Sequence, residues 1–160
     1  MLNRTLPDEL LIVEYMNIRP FAKSDIDQCA ALYLQAYNRP PWNYNFTFEK
    51  AVKYLTEYTD RGRFEGFVAE DNGNIAGAVM GHSKTWWTND IIYIDELFVA
   101  PDSRGKGYGK NLLDHTEDYS REKGYEVVTL MTNKHMPAFQ FYNHIDYLQA
   151  EHFVFLFKPL

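Results

Sequence analysis

The chain has 160 residues, 46% hydrophobic and 24% charged, which suits one globular domain with its own core. A net charge of −6 argues against a broad nucleic-acid footprint, and the single cysteine, Cys29, excludes an intrachain disulfide. No run reaches the roughly 18 apolar residues of a membrane span, and no secretory leader is visible, so a reducing cytoplasm is the expected compartment.

Residues 1–15 read as an extension ahead of a single domain over residues 16–160. Met16–Phe21 reads as a first strand running into a loop. A helix is predicted from Ser24 to about Ala36, with Ser24 as its cap and Asp27 completing a capping box. Ile26, Ala30, Leu34 and Tyr37 recur there at helical spacing. Cys29, inside this helix, reads as a small buried residue and not a nucleophile. The run Asn38-Arg39-Pro40-Pro41-Trp42-Asn43 is a loop, because paired prolines exclude helix and sheet interior. Thr47 is expected to cap a second helix, roughly Phe48 to Asp60, with Ala51, Leu55 and Tyr58 on one face.

The period then changes. Phe64–Glu70 reads as a strand and Asp71-Asn72-Gly73-Asn74 as a hairpin turn. Ile75 to about Lys84 is the returning strand, residues 86–90 form a turn, and Ile91 to Ala100 is a long apolar strand. A helix from about Gly107 to Lys123 presents Leu112, Leu113, Thr116 and Tyr119 inward, and Gly124 stops it. Glu126 to Met131 is another strand, Pro137 to about His144 a short helix, and Tyr147 to Phe157 a final strand. The order β-α-α-β-β-β-α-β-α-β implies an α/β fold with a mixed, mostly antiparallel central sheet flanked by helices, not a doubly wound parallel one.

Between the long strand and its helix lies Val99-Ala100-Pro101-Asp102-Ser103-Arg104-Gly105-Lys106-Gly107-Tyr108-Gly109. Glycines let main chain approach a ligand closely, and successive N–H groups at a helix N-terminus form an anion cradle. Arg104, Lys106 and Lys110 add positive charge, so a pyrophosphate is the expected ligand. The Walker A spacing is absent, and a dinucleotide fingerprint would need glycine where Lys110 stands.

Arg104-x-x-Gly107-x-Gly109, preceded by Leu97-x-Val99-x-Pro101, resembles the acetyl-CoA signature of the GCN5-related N-acetyltransferase (GNAT) superfamily. A second block, Ala138-x-x-Phe141-Tyr142 to Asp146-Tyr147, resembles the family's Ala-x-x-Phe-Tyr-x-x-x-Gly-Phe. Asp146 stands in place of glycine there, and aspartate tolerates a left-handed helix end. His135 stands where the family often has asparagine.

The resemblance implies a cofactor-binding set of Leu97, Phe98, Val99, Arg104, Gly105, Lys106, Gly107, Tyr108, Gly109 and Lys110. Main-chain N–H groups of 97–99 would serve the thioester carbonyl and the pantetheine arm. It also implies Tyr142 as the general acid beside the cofactor sulfur. For the base, Asp95 and Glu96 are carboxylates inside an apolar strand, which is costly unless one faces a wet or cationic site. A regular strand sends neighbours to opposite faces, so it cannot present both to one cleft. In several family members the base matches Tyr93, which is no carboxylate. An acidic pair at Asp95-Glu96 resembles the polyamine acetyltransferases. A water relay from either carboxylate, or a merely solvated pair, stays open.

The acceptor site is expected from Trp42, Tyr44, Phe46, Trp86, Trp87 and Tyr93, whose aromatic faces beside carboxylates suit a cationic amine. Exposed tryptophans equally suit a core cover or a homodimer contact. The five histidines lack metal-ligand spacing, so no metal is expected. The expected activity is transfer of an acetyl group from acetyl-CoA to a primary amine of a small molecule or peptide. The alternative is a noncatalytic acyl-CoA-binding regulatory module.

Overall fold

A computed structural model describes residues 16–160. The expected N-terminal extension, 1–15, lies outside the described residues. The elements are β1 (Met16–Pro20), α1 (Ile26–Tyr37), α2 (Phe48–Thr59), β2 (Phe64–Asp71), β3 (Asn74–Thr85), β4 (Asp90–Val99), α3 (Tyr108–Lys123), β5 (Val128–Leu130) and α4 (Pro137–His144). The sheet runs β1-β2-β3-β4-β5; its first three pairings are antiparallel and β4–β5 is parallel.

The sheet is covered on both faces. On one, Cys29, Ala30, Tyr33 and Ala36 of α1 and Ala51 and Leu55 of α2 pack on Val68, Ala78, Met80 and Phe98. On the other, Leu112 and Leu113 of α3, both fully buried, pack on Phe67, Val79 and Ile94. Truncating either leucine to alanine costs about 2–5 kcal/mol, because the cavity left behind closes only partly. Burial pushes the Cys29 thiol up to about 12, which leaves it a packing residue as expected.

The helix ends follow the residues that can supply them. Thr47 Oγ1 accepts the Lys50 N–H (3.2 Å), as its position predicts. Gly107 (φ 90°) and Gly124 (φ 73°) bracket α3 in left-handed conformations that a Cβ would strain. Asp146 adopts φ 65°, so the turn after α4 survives without glycine.

The start of α1 differs from expectation. A single 3-10 turn, Lys23–Asp25, precedes the helix, and Asp25, not Ser24 or Asp27, accepts the Ala22 N–H (2.8 Å). Arg19 decides this: its guanidinium grips both Asp25 oxygens (2.8 and 2.9 Å) and holds that carboxyl below its ordinary range.

The predicted last strand is the larger difference. β5 is shorter than expected, and residues 147–160 form no strand. Leu148 and Phe153–Phe157 stand exposed. Their pattern encodes a strand, but among the described residues they have no sheet neighbour.

Candidate active site

The site begins with a defect in the sheet. Met80 pairs with Glu96 and Gly81 with Ile94, so Asp95 is an extra residue in β4. A β-bulge of this kind breaks the alternation of side chains. It brings Asp95 and Glu96 to line the same cavity, which regular-strand reasoning forbade. Gly81 permits it, since a Cβ there would overlap the Tyr93 carbonyl oxygen.

The bulge coincides with a split. β5 accompanies β4 only from Ile92 to Ile94. From Asp95 to Val99 the outer side of β4 has no neighbouring strand among the described residues and opens into a cavity of about 1080 Å³. Leu97, Phe98, Val99, Arg104, Gly105, Gly107, Tyr108, Gly109 and Lys110 all line it, as do Tyr142, Tyr93, Trp42 and Tyr44. The two sequence blocks and the loop between α1 and α2 therefore meet around one space.

At the mouth of α3, Gly105 takes φ 76° and a Cβ there would meet nothing within 4 Å. The last loop bonds run from Arg104 N–H to Pro101 and from Lys106 N–H to Ser103, and helical bonding resumes with Asn111 N–H to Gly107. Among the described residues no protein acceptor takes the N–H groups of Gly105, Gly107, Gly109 or Lys110. Unpaired donors at a helix start, with open space before them, fit a diphosphate.

The three cationic members of the expected set differ in their partners and placement. The Arg104 guanidinium turns to the Ala36 carbonyl (3.1 Å) and lies over the Trp42 ring (5.2 Å), so it ties the glycine loop to α1 and its following loop. Lys106 is not among the lining residues, and Lys110 pairs with Asp114 (2.6 Å). Trp86 also stands outside the cavity, with Lys84 over its ring, and Trp87 is 85% exposed. Both tryptophans sit in the β3–β4 turn, on the far side of the bulge from the split.

Asp95 and Glu96 share the cavity but not their surroundings. Asp95 contacts His82 Nδ1 (2.7 Å) and Arg61 (3.5 Å). Among the described residues Glu96 has no cation within ion-pair distance. It accepts the Tyr54 hydroxyl (2.5 Å), which in turn accepts from Tyr58 (2.7 Å). Burial is the main cause that pushes the Glu96 carboxyl up to about 7; Asp95 adds to it, and the tyrosine bonds oppose it. The Tyr142 hydroxyl is pushed up to about 12, by burial first and then by Glu96. One group is thus poised to take a proton near neutral pH, and the other keeps its own.

Tyr37, Tyr54 and Tyr58 were not singled out from sequence as site residues. The Tyr37 hydroxyl donates to the Leu97 carbonyl (3.0 Å), and its ring packs edge-on to Trp42 and stacks on Tyr44. The i, i+4 spacing of Tyr54 and Tyr58 was a usable signal, because it puts both hydroxyls on one side of α2. Nothing in the sequence said that this side faces Glu96.

Residues 28–147 match the sequence pattern of the Acetyltransferase (GNAT) family. An uncharacterized N-acetyltransferase of Methanocaldococcus jannaschii is 28% identical over 88% of this chain and 64% of its own length. Another, of Archaeoglobus fulgidus, is 30% identical over 74% of this chain and 83% of its own. Among solved structures, the aminoglycoside N-acetyltransferase AAC(6')-Iy in complex with CoA superposes with a TM-score of 0.74, at 17% identity, over 94% of this chain and 99% of that one. The chain belongs to the acetyltransferase (GNAT) family, a family of acyltransferases.

Proposed function

We propose that the chain transfers the acetyl group of acetyl-CoA to a primary amine of a small cationic molecule, polyamine-like or aminoglycoside-like. The observation that carries this reading is the pairing of Glu96, at about 7, with Tyr142, at about 12, in one cavity on the open edge of β4. The likeness to a CoA-bound aminoglycoside acetyltransferase supports the cosubstrate, and the unpaired donors at the α3 mouth suit its diphosphate.

In this reading the free edge of β4 aligns the pantetheine arm, and its main-chain donors face the thioester oxygen. The amine nitrogen bonds to the acetyl carbon, the carbon–sulfur bond breaks, and Glu96 takes the amine proton, directly or through water. Tyr142 donates its hydroxyl proton to the departing sulfur. Tyr54 and Tyr58 hold Glu96 in place. Asp95, hydrogen-bonded to His82 and ion-paired with Arg61, contributes field and not proton transfer. Trp42, Tyr44 and Tyr93 present aromatic faces to the cationic acceptor.

The test is amine-dependent release of the coenzyme A thiol, with a polyamine, an aminoglycoside, an amino acid and a peptide N-terminus as acceptors. Turnover is expected to be highest with the polycations and lost in Glu96→Gln. If acetyl-CoA binds but no amine raises thiol release above hydrolysis, the chain is an acyl-CoA-binding module instead.

A further inference from the structure

Tyr37 is the last residue of α1, and it lines the same cavity as Glu96, Leu97 and Tyr142. Its hydroxyl lies 3.0 Å from the Leu97 carbonyl oxygen. A carbonyl cannot donate, so the hydroxyl is the donor. A hydroxyl carries one proton; with that proton on Leu97, the Tyr37 oxygen can only accept from what enters the cavity.

The place of this bond on β4 gives it a role. The Ala100 N–H donates to the Ala76 carbonyl (2.8 Å), and Val79 faces Leu97 in the same register. Main-chain groups of an antiparallel pair point alternately at the partner strand and away from it. Leu97 and Val99 therefore turn their N–H and C=O groups away from β3, to the open edge. Tyr37 occupies the Leu97 carbonyl there, which sets its oxygen beside the stretch of β4 that faces the thioester in the acetyl-transfer reading. The ring is fixed from three sides: it stacks on Tyr44 (5.7 Å), meets Trp42 edge-on (5.4 Å) and packs against Tyr33 (4.5 Å). The Tyr37 carbonyl also accepts the Tyr44 N–H (2.9 Å). Burial first, and then Glu96, hold the hydroxyl well above its ordinary pKa, with Tyr142 a smaller contributor. It keeps its proton, and its oxygen lies in the field of both catalytic groups.

We propose that Tyr37 is a specificity-determining residue, whose oxygen accepts the second N–H of the attacking amine and so selects primary over secondary amines. The inference rests on the acetyl-transfer reading above. A neutral primary amine brings one lone pair and two N–H groups. As the lone pair bonds to the acetyl carbon and the carbon–sulfur bond breaks, one N–H gives its proton to Glu96. The other hydrogen stays on nitrogen and becomes the amide N–H of the product. That hydrogen needs an acceptor in a cavity walled by aromatic rings, and Tyr37 supplies it. A secondary amine gives its only N–H hydrogen to Glu96 and turns an alkyl group to the Tyr37 oxygen.

Tyr37→Phe keeps the ring and its stacking and removes only the hydroxyl. The comparison is kcat/KM of wild type and variant on 1,4-diaminobutane and its N,N′-dimethyl derivative, and on the best primary amine of the thiol-release panel and its N-methyl derivative. Where a secondary amine does not turn over, its inhibition constant against the primary amine takes the place of kcat/KM. Loss of one hydrogen bond should lower the value for the primary amine about tenfold and change that for the secondary amine by less than about twofold. The preference for the primary amine should therefore fall about tenfold, while the thermal shift given by coenzyme A stays the same. Equal losses on both amines, or weaker coenzyme A binding, would make the hydroxyl a strut for β4 and overturn the proposal, as would an unchanged preference. A wild type that binds acetyl-CoA and acetylates no amine would instead defeat the acetyl-transfer reading itself, and this inference with it.

Discussion

Glu96→Gln separates catalysis from stability. The carboxyl is raised from an ordinary 4.5 to about 7. A group whose folded pKa lies above its unfolded one favours the folded state while protonated, and that contribution is lost as pH rises through the folded value. For Glu96 the loss runs from about pH 4.5 to about pH 7. At about 1.36 kcal/mol per tenfold, it reaches about 3 kcal/mol by pH 8. Glutamine keeps the shape and still accepts the Tyr54 hydroxyl, but it has no charge to bury. The variant should therefore match wild type below pH 4.5 and exceed it by about 3 kcal/mol at pH 8, or about 6–12 °C in Tm for a chain of this size. Amine acetylation should fall by about 10²-fold or more at the same pH. Urea unfolding at pH 4.5 and pH 8, beside steady-state rates, measures both. A stability difference that does not grow with pH would refute the burial argument, and full activity in the variant would remove Glu96 as the base.

Tyr142→Phe should lower kcat by about 10²-fold while coenzyme A affinity, read by calorimetry, changes little; equal turnover would end the acid assignment. Tyr54→Phe removes a bond that lowers the Glu96 pKa, so the rising limb of the pH–rate profile should move to higher pH; an unmoved or lowered limb would show that the bond is idle. Gly107→Asp and Arg104→Ala form a contrasting pair. The first sets a strained side chain and a negative charge at φ 90° before the α3 donors and should weaken coenzyme A binding at least tenfold. The second frees Trp42 and the Ala36 carbonyl and should raise the acceptor KM more than it weakens coenzyme A binding. The reverse ranking would put the guanidinium back on the phosphates.

Much of this protein is written in local signals. The hairpin at Asn72-Gly73, the cap at Thr47, the glycines that bracket α3 and the left-handed Asp146 each follow from the allowed φ of a few residues, and all stand where the sequence puts them. The glycine loop and the Ala138–Tyr147 block are short patterns with the same property, and they were enough to point to the family. The remainder depends on partners distant in the chain. Asp95 and Glu96 share a cavity because β4 bulges against Gly81, a matter of register between strands. Among the described residues Glu96 and not Asp95 is left without a cation, because Arg61 reaches one carboxylate while α2 offers tyrosines to the other. Arg104 ties the glycine loop to α1 because the carbonyl end of α1 and the Trp42 ring lie within its reach. Residues 153–157 spell a strand without forming one, since a strand needs a neighbour, and local propensity cannot say where that neighbour is. Composition and spacing determine which conformations each segment can take; only the assembled fold decides which charges, donors and edges end up facing one another.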